Sequence, residues 1–151
     1  MDRIDRRLAE LGITLPPPKQ PVANYVGCKQ SGHQLFVSAL VSETKGAVGA
    51  AVSVEAAADA ARATALGLLA IVRNHLDTLD RVASIDKMTG FVHSDAGFIA
   101  QPAVVDGASR VLIDIFGEAG RHARTATGVA QLPFGATVQL EMILSLRAEP
   151  T

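Results

Sequence analysis

Between Ser53 and Leu79 the chain reads SVEAAADAARATALGLLAIVRNHLDTL, with Ala61, Ala65, Leu68, Leu69, Val72, Leu76 and Leu79 on one face at helical spacing. Ser53 suits an N-cap, and Glu55 and Asp59 stand in the early turns, where the helix dipole favours acids. A helix of this length with one apolar stripe must lay that stripe on another layer, and the alanines at its start fit close packing against a sheet. The flanking sequence supplies the strands. A strand is predicted at about residues 25–29, a turn at QSGH (30–33) and a second strand at QLFVSALVS (34–42), together a hairpin. ETKGAVGAAV reads as a Gly-rich loop ending in a short edge strand.

Past the helix, RVASIDKMTGFVH (81–93) is a third long strand, with Gly90 as a bulge. Asp95 to Gly97 turns the chain, Pro102 suits the first turn of a second helix ending near Phe116, and Gly117 stops it. Thr125, Thr127 and Val129 then run through Leu132-Pro133-Phe134-Gly135 into a strand from Val138 to Leu146, which reads as a closing hairpin. At the other end, Ile4, Leu8 and Leu11 line one side of a short helix stopped by Gly12, and four prolines in residues 16–21 force an extended connector. The expectation is one α+β domain over 1–151, residues 1–20 forming an N-terminal helix and Pro-rich extension. Its sheet is mixed, with five or six strands and two helices on one face. The other face stays bare in a lone chain, and the 48% hydrophobic content is more than a small monomer needs. Both point to self-association.

Charge excludes one class of partner. Lys plus Arg is 14 against 15 for Asp plus Glu, a net charge of −1, and the densest basic run, Arg3 with Arg6-Arg7, is interleaved with acids. Five Phe, one Tyr and no Trp leave few surfaces for stacking bases, so nucleic-acid binding is disfavoured. A single cysteine, Cys28, cannot form an internal disulfide and reads as a structural thiol. No apolar run reaches the roughly 18 residues of a membrane span, and no signal peptide is evident, so a cytoplasmic protein without membrane partners is expected.

P-loop, GxGxxG, CxxC and HExxH patterns are all missing. His33, His75, His93 and His122 are scattered without ligand spacing, so no metal is expected. Arg124 stands apart. It heads a strand beside Ala123, Thr125, Ala126, Thr127 and Gly128, small residues that leave a recess in which a guanidinium can grip a carboxylate through two parallel hydrogen bonds. The plain alternative is an arginine in a rim salt bridge.

GRHARTATGVAQLPFGATVQLEMI resembles the signature of the RidA/YjgF family, the reactive-intermediate deaminases once labelled L-PSP endoribonucleases. VANYV (22–26), LFVSA (35–39), DRVASIDKMTGFV (80–92) and DGASRVLIDIFGEAGRHAR (106–124) extend the resemblance over nearly the whole chain, and RLAELGITLPPP is similar to an extension carried by one subgroup. The resemblance implies a chorismate-mutase-like fold and a homotrimer packed sheet to sheet, with clefts built from two neighbouring chains. It also implies hydrolysis of a 2-imino acid or its enamine to a 2-keto acid and ammonia, with no cofactor. Arg124 then matches the family's carboxylate clamp, Tyr25 its tyrosine before the first strand and Ser38 its serine on the second strand. The family asparagine of the second helix falls near Asp106. Ala126 stands where deaminase members have a cysteine. Gln139 replaces the water-orienting glutamate of an E-x-E pair, whose second acid is Glu141. A glutamine can hold a water but cannot take its proton, so activity is expected to be weakened or altered. The alternative is a non-catalytic trimer, a small-carboxylate binder or interaction module.

Overall fold

The computed structural model describes residues 1–149. Ser53 Oγ accepts the N–H of Ala56 at 3.1 Å and opens helix α2 (Val54–Leu76), which ends at Asp77 in a left-handed conformation. All seven stripe residues are buried, Leu79 lying just beyond the helix. Helix α3 (Gln101–Phe116) packs along α2, and Gly107 makes the approach possible: a Cβ there would fall 2.0 Å from the carbonyl oxygen of Ala58. Gly117, with φ 63°, stops α3 as the sequence predicts.

Both helices cover one face of a five-stranded sheet made of β1 (Cys28–Ser31), β2 (Gln34–Val41), β3 (Val82–His93), β4 (Ala123–Val129) and β5 (Val138–Leu146). Their spatial order is β1-β2-β5-β3-β4, antiparallel except for the parallel β3–β4 pair. Strand alternation sends Val138, Leu140, Met142, Leu144 and Leu146 into the core and turns Gln139, Glu141 and Ile143 to the opposite face. No helix among the described residues covers that second face, and Phe36 on it is 42% exposed.

Four local expectations are corrected. Residues 123–146 do not form a hairpin. The turn at residues 130–137 carries the chain across the end of β3, where the N–H of Ser94 donates to Val129 O and the N–H of His93 to Thr137 O. Because β3 bonds on both edges, it comes between β4 and β5. The first strand starts at Cys28 rather than Tyr25, since Gly27 pairs with β2 only through the Ser38 N–H. Residues 43–52 form isolated bridges rather than an edge strand. Gly90 lies in regular register, the irregularities of β3 falling at residues 82–87. It is glycine because α3 presses on it: a Cβ would come within 2.8 Å of Val105.

Helix α1 (Arg3–Glu10) buries Ile4 and Leu8 and is capped from far along the chain. Asp2 makes no side-chain cap; instead the N–H groups of Arg3 and Ile4 each donate to Asp80 at 2.8 Å. Partial burial pulls the Asp80 carboxyl upward, but those two N–H bonds and the charges of Arg3 and Arg6 outweigh it and hold its pKa below the ordinary 3.8. A pKa depressed by folding means stability present at neutral pH and lost as pH falls through the folded value. Asp80→Ala is therefore expected to lower stability by about 1–2 kcal/mol at pH 7. Thermal melts below the ordinary carboxylate range should show the gap to wild type closing, and an equal gap at both pH values would remove Asp80 as the cap.

Candidate functional site

Tyr25, Ser38, Gln139 and Glu141 come together on the helix-free face of the sheet. They line one cavity of about 690 Å³ with Val22, Leu40 and Phe134 among its walls. An adjoining cavity of about 450 Å³ shares Tyr25, Ser38 and Glu141 and adds Lys29, Lys87 and Phe36. Ser38 lies where the β2–β5 register slips between Val37 and Leu40, and its hydroxyl donates to Val26 O at 2.6 Å, tying the Tyr25 segment to β2. Glu141 is exposed opposite Thr89, and Gln139 is half-buried opposite Phe91. Among the described residues no ion pair involves Glu141.

Arg124, Asp106 and Ala126 lie elsewhere. Arg124 is in register with Met88, which is fully buried under the helices, so both side chains point to the helix face of the sheet. Ala126, paired with Gly90, packs against the core on that same face. The Arg124 side chain is 23% exposed, and its Nη1 donates to Asp106 Oδ1 at 2.7 Å and to Ser109 Oγ at 3.2 Å, both on α3. Nη2 makes a long contact, 3.5 Å, with Pro102 O. The guanidinium is thus held by its own chain, as the plain alternative foresaw, yet Nε and most of Nη2 are left for another acceptor. Sequence reasoning passed over Ser109, because a serine inside a helix carries no motif.

Other residues weighed from the sequence take structural parts. Burial pushes the Cys28 thiol up to about 11, far from a thiolate nucleophile at neutral pH. No group of three or more His, Cys, Asp or Glu able to hold a metal occurs among the described residues. None of the described helices is long and apolar enough to cross a membrane.

Phe134 was not singled out by sequence, yet it lines the larger cavity. It adopts φ 60°, ψ 15°, a left-handed conformation that is costly for an aromatic residue, while 69% exposed. Strain without burial indicates that the ring's place matters more than its packing. Phe134→Gly is expected to raise unfolding free energy by about 1 kcal/mol through relief of that strain, and to weaken any ligand held in the cavity. A lower Tm would mean that ring contacts outweigh the backbone cost.

A mixed sheet in this strand order with two helices on one face defines the class of protein by its fold. The family described as "YjgF/chorismate_mutase-like, putative endoribonuclease" matches residues 5–145, and the chain belongs to it. Protein TCP17 of Trypanosoma cruzi is 41% identical, the match spanning 95% of this chain and 94% of that protein. The crystal structure of Atu1372 from Agrobacterium tumefaciens, a protein of unknown function, is 39% identical with a TM-score of 0.88, covering 95% of this chain and 92% of that one. The structure of E. coli TdcF with bound serine shares the fold at 23% identity and a TM-score of 0.61, covering 89% of this chain and 96% of that one.

Proposed function

We propose that this protein is a homotrimer whose clefts between neighbouring chains bind small 2-keto or 2-imino acids, with Arg124 as the carboxylate anchor and with slow imine hydrolysis. The observation that carries the reading is the division of the candidate residues. Tyr25, Ser38, Gln139 and Glu141 share one cavity on the helix-free face, while Arg124 and Asp106 lie on the helix face at the β4 edge. A single chain presents two unlike half-sites. A second copy, its β4 edge set beside the Tyr25–Ser38 corner, would unite them and cover Val22, Tyr25, Val26 and Phe36, all at least 42% exposed here. That TdcF holds serine, another small carboxylate, on the same fold is compatible with this ligand class.

The chemistry follows from the groups available. Water adds its oxygen to the C=N carbon to give a carbinolamine; both of its protons pass in turn to the nitrogen, the C–N bond breaks, and ammonia leaves behind the carbonyl of the keto acid. Arg124 neutralises the carboxylate and orients the carbon. Gln139 can hold the water by hydrogen bonding, but only Glu141 of the two can accept its proton. Ser38 and Tyr25 close the polar wall. No cofactor enters this sequence of steps. Gln139 also supports a second reading, a trimer that binds carboxylates without turning them over. RNA cleavage gains nothing from a net charge of −1 and a single tyrosine.

The test is titration of the wild-type protein with 2-ketobutyrate by calorimetry, alongside release of keto acid from freshly generated 2-iminopropanoate. Binding with slow turnover supports the first reading, and binding with none the second. A monomer in sedimentation, or no binding, would overturn both.

A further inference from the structure

Arg124 does not end at α3; a chain of hydrogen bonds continues behind it. Ser109 Oγ, which accepts from Arg124 Nη1 at 3.2 Å, lies 2.9 Å from His122 Nε2, and His122 Nδ1 lies 2.7 Å from Gly120 O. A carbonyl oxygen can only accept, so Nδ1 carries the imidazole proton. In the neutral ring Nε2 is then an acceptor and takes the Ser109 hydroxyl proton. The lone pairs of Ser109 are thereby turned toward Arg124. Along the series Arg124 donates to Ser109, Ser109 to His122 and His122 to Gly120, with the direction of these three bonds fixed from the Gly120 end. That end is tightly packed: Gly120 is buried, and a Cβ there would fall 2.4 Å from Leu112 O of α3. The charged groups around the relay are Arg124 itself, Asp106, and Arg110, which approaches Asp106 Oδ2 at 3.8 Å. Glu118 and Arg121, on the neighbouring turn, pair with each other at 3.0 Å.

Resting on the anchor reading above, we propose that Ser109 and His122 are positioning residues for Arg124. Both protons of Nη1 are committed, one to Asp106 and one to Ser109, which locks the plane of the guanidinium. Among the described residues Nε–H has no acceptor and Nη2 has only the 3.5 Å contact to Pro102 O, so the edge they form is open to the ligand. Two parallel donors on one edge match the two oxygens of a carboxylate. Were Ser109 free to rotate, its hydroxyl proton could turn toward Nη1, and the plane would lose its second fixed point. Asp106 alone would hold the charge but not the orientation.

Asparagine at 122 can reproduce only the Nδ1 contact to Gly120, whereas glutamine places an amide oxygen near the position of Nε2. Ser109→Ala and His122→Asn are expected to weaken 2-ketobutyrate binding about fivefold, the loss of one ordinary hydrogen bond. His122→Gln should stay within about twofold of wild type. If His122 merely pins the loop at Gly120, the order reverses, with asparagine the better replacement, and the proposal is overturned. The ¹⁵N spectrum of the unliganded wild-type protein gives a second measurement that needs no ligand: His122 should show a protonated Nδ1 and a bare Nε2, and a proton on Nε2 would sink the relay. Arg124→Ala separates the two ideas. If it binds as well as wild type, or if wild type does not bind at all, the anchor reading fails, and the ¹⁵N result alone judges the relay.

Discussion

Arg124→Ala loses 2-ketobutyrate binding by about 100-fold while the chain folds and assembles as wild type; calorimetry and sedimentation measure the two effects. The magnitude follows from two charge-assisted hydrogen bonds, together worth about 3 kcal/mol in a partly enclosed site. A further loss comes from Asp106. With its 2.7 Å partner gone, its carboxylate faces the incoming anion with only Arg110, 3.8 Å away, to offset it. The fold survives because Arg124 is at an edge strand, 23% exposed, and the core beneath it is formed by Met88, Val105 and Ala108. Arg124→Lys restores a charge but not the planar fork, and so recovers only part of the loss. Unchanged affinity in Arg124→Ala would mean that the acid docks elsewhere.

Gln139→Glu raises keto-acid release from 2-iminopropanoate by about 100-fold, the lower end of what a positioned general base contributes. The substitution is nearly isosteric, and Gln139 is half-buried at the wall of the 690 Å³ cavity, so water can reach the new carboxylate. Glu141 faces the same side about 7 Å along the strand, by two residues of rise. A coupled fall in activity for Glu141→Gln in the Gln139→Glu background would identify the pair as acting together. No gain from Gln139→Glu, with binding intact, would remove Gln139 as the reason for slow turnover and favour the binding-only reading.

The helices were readable because their determinants are local. Ser53, the Ala61-to-Leu79 stripe, Pro102 and Gly117 each act within a few residues, and each does in the structure what its chemistry predicts. The four longer strands were legible as well, whereas the short edge strand expected in residues 43–52 is not formed. Strand order was not legible. Leu132-Pro133-Phe134-Gly135 has the look of a hairpin turn, and nothing nearby reveals that β3, some forty residues earlier, takes the place between β4 and β5. The same long-range pairing governs the site. Seven candidate positions could be named from their types and from resemblance, but that Arg124 and Ala126 face the helices depends on the parallel register of β4 against β3. Gly90 shows the limit from another side, since a glycine demanded by a helix above it reads in sequence like one demanded by a bulge.

The guanidinium and the tyrosine corner lie on opposite faces of the sheet and on strands far apart in its order, so the proposed union of the two by neighbouring copies has a genetic consequence. Two inactive alleles, one without Arg124 and one without Tyr25, should rescue each other when expressed together. Mixed assemblies would contain some recesses built from the undamaged part of each copy, whereas either mutant alone contains none.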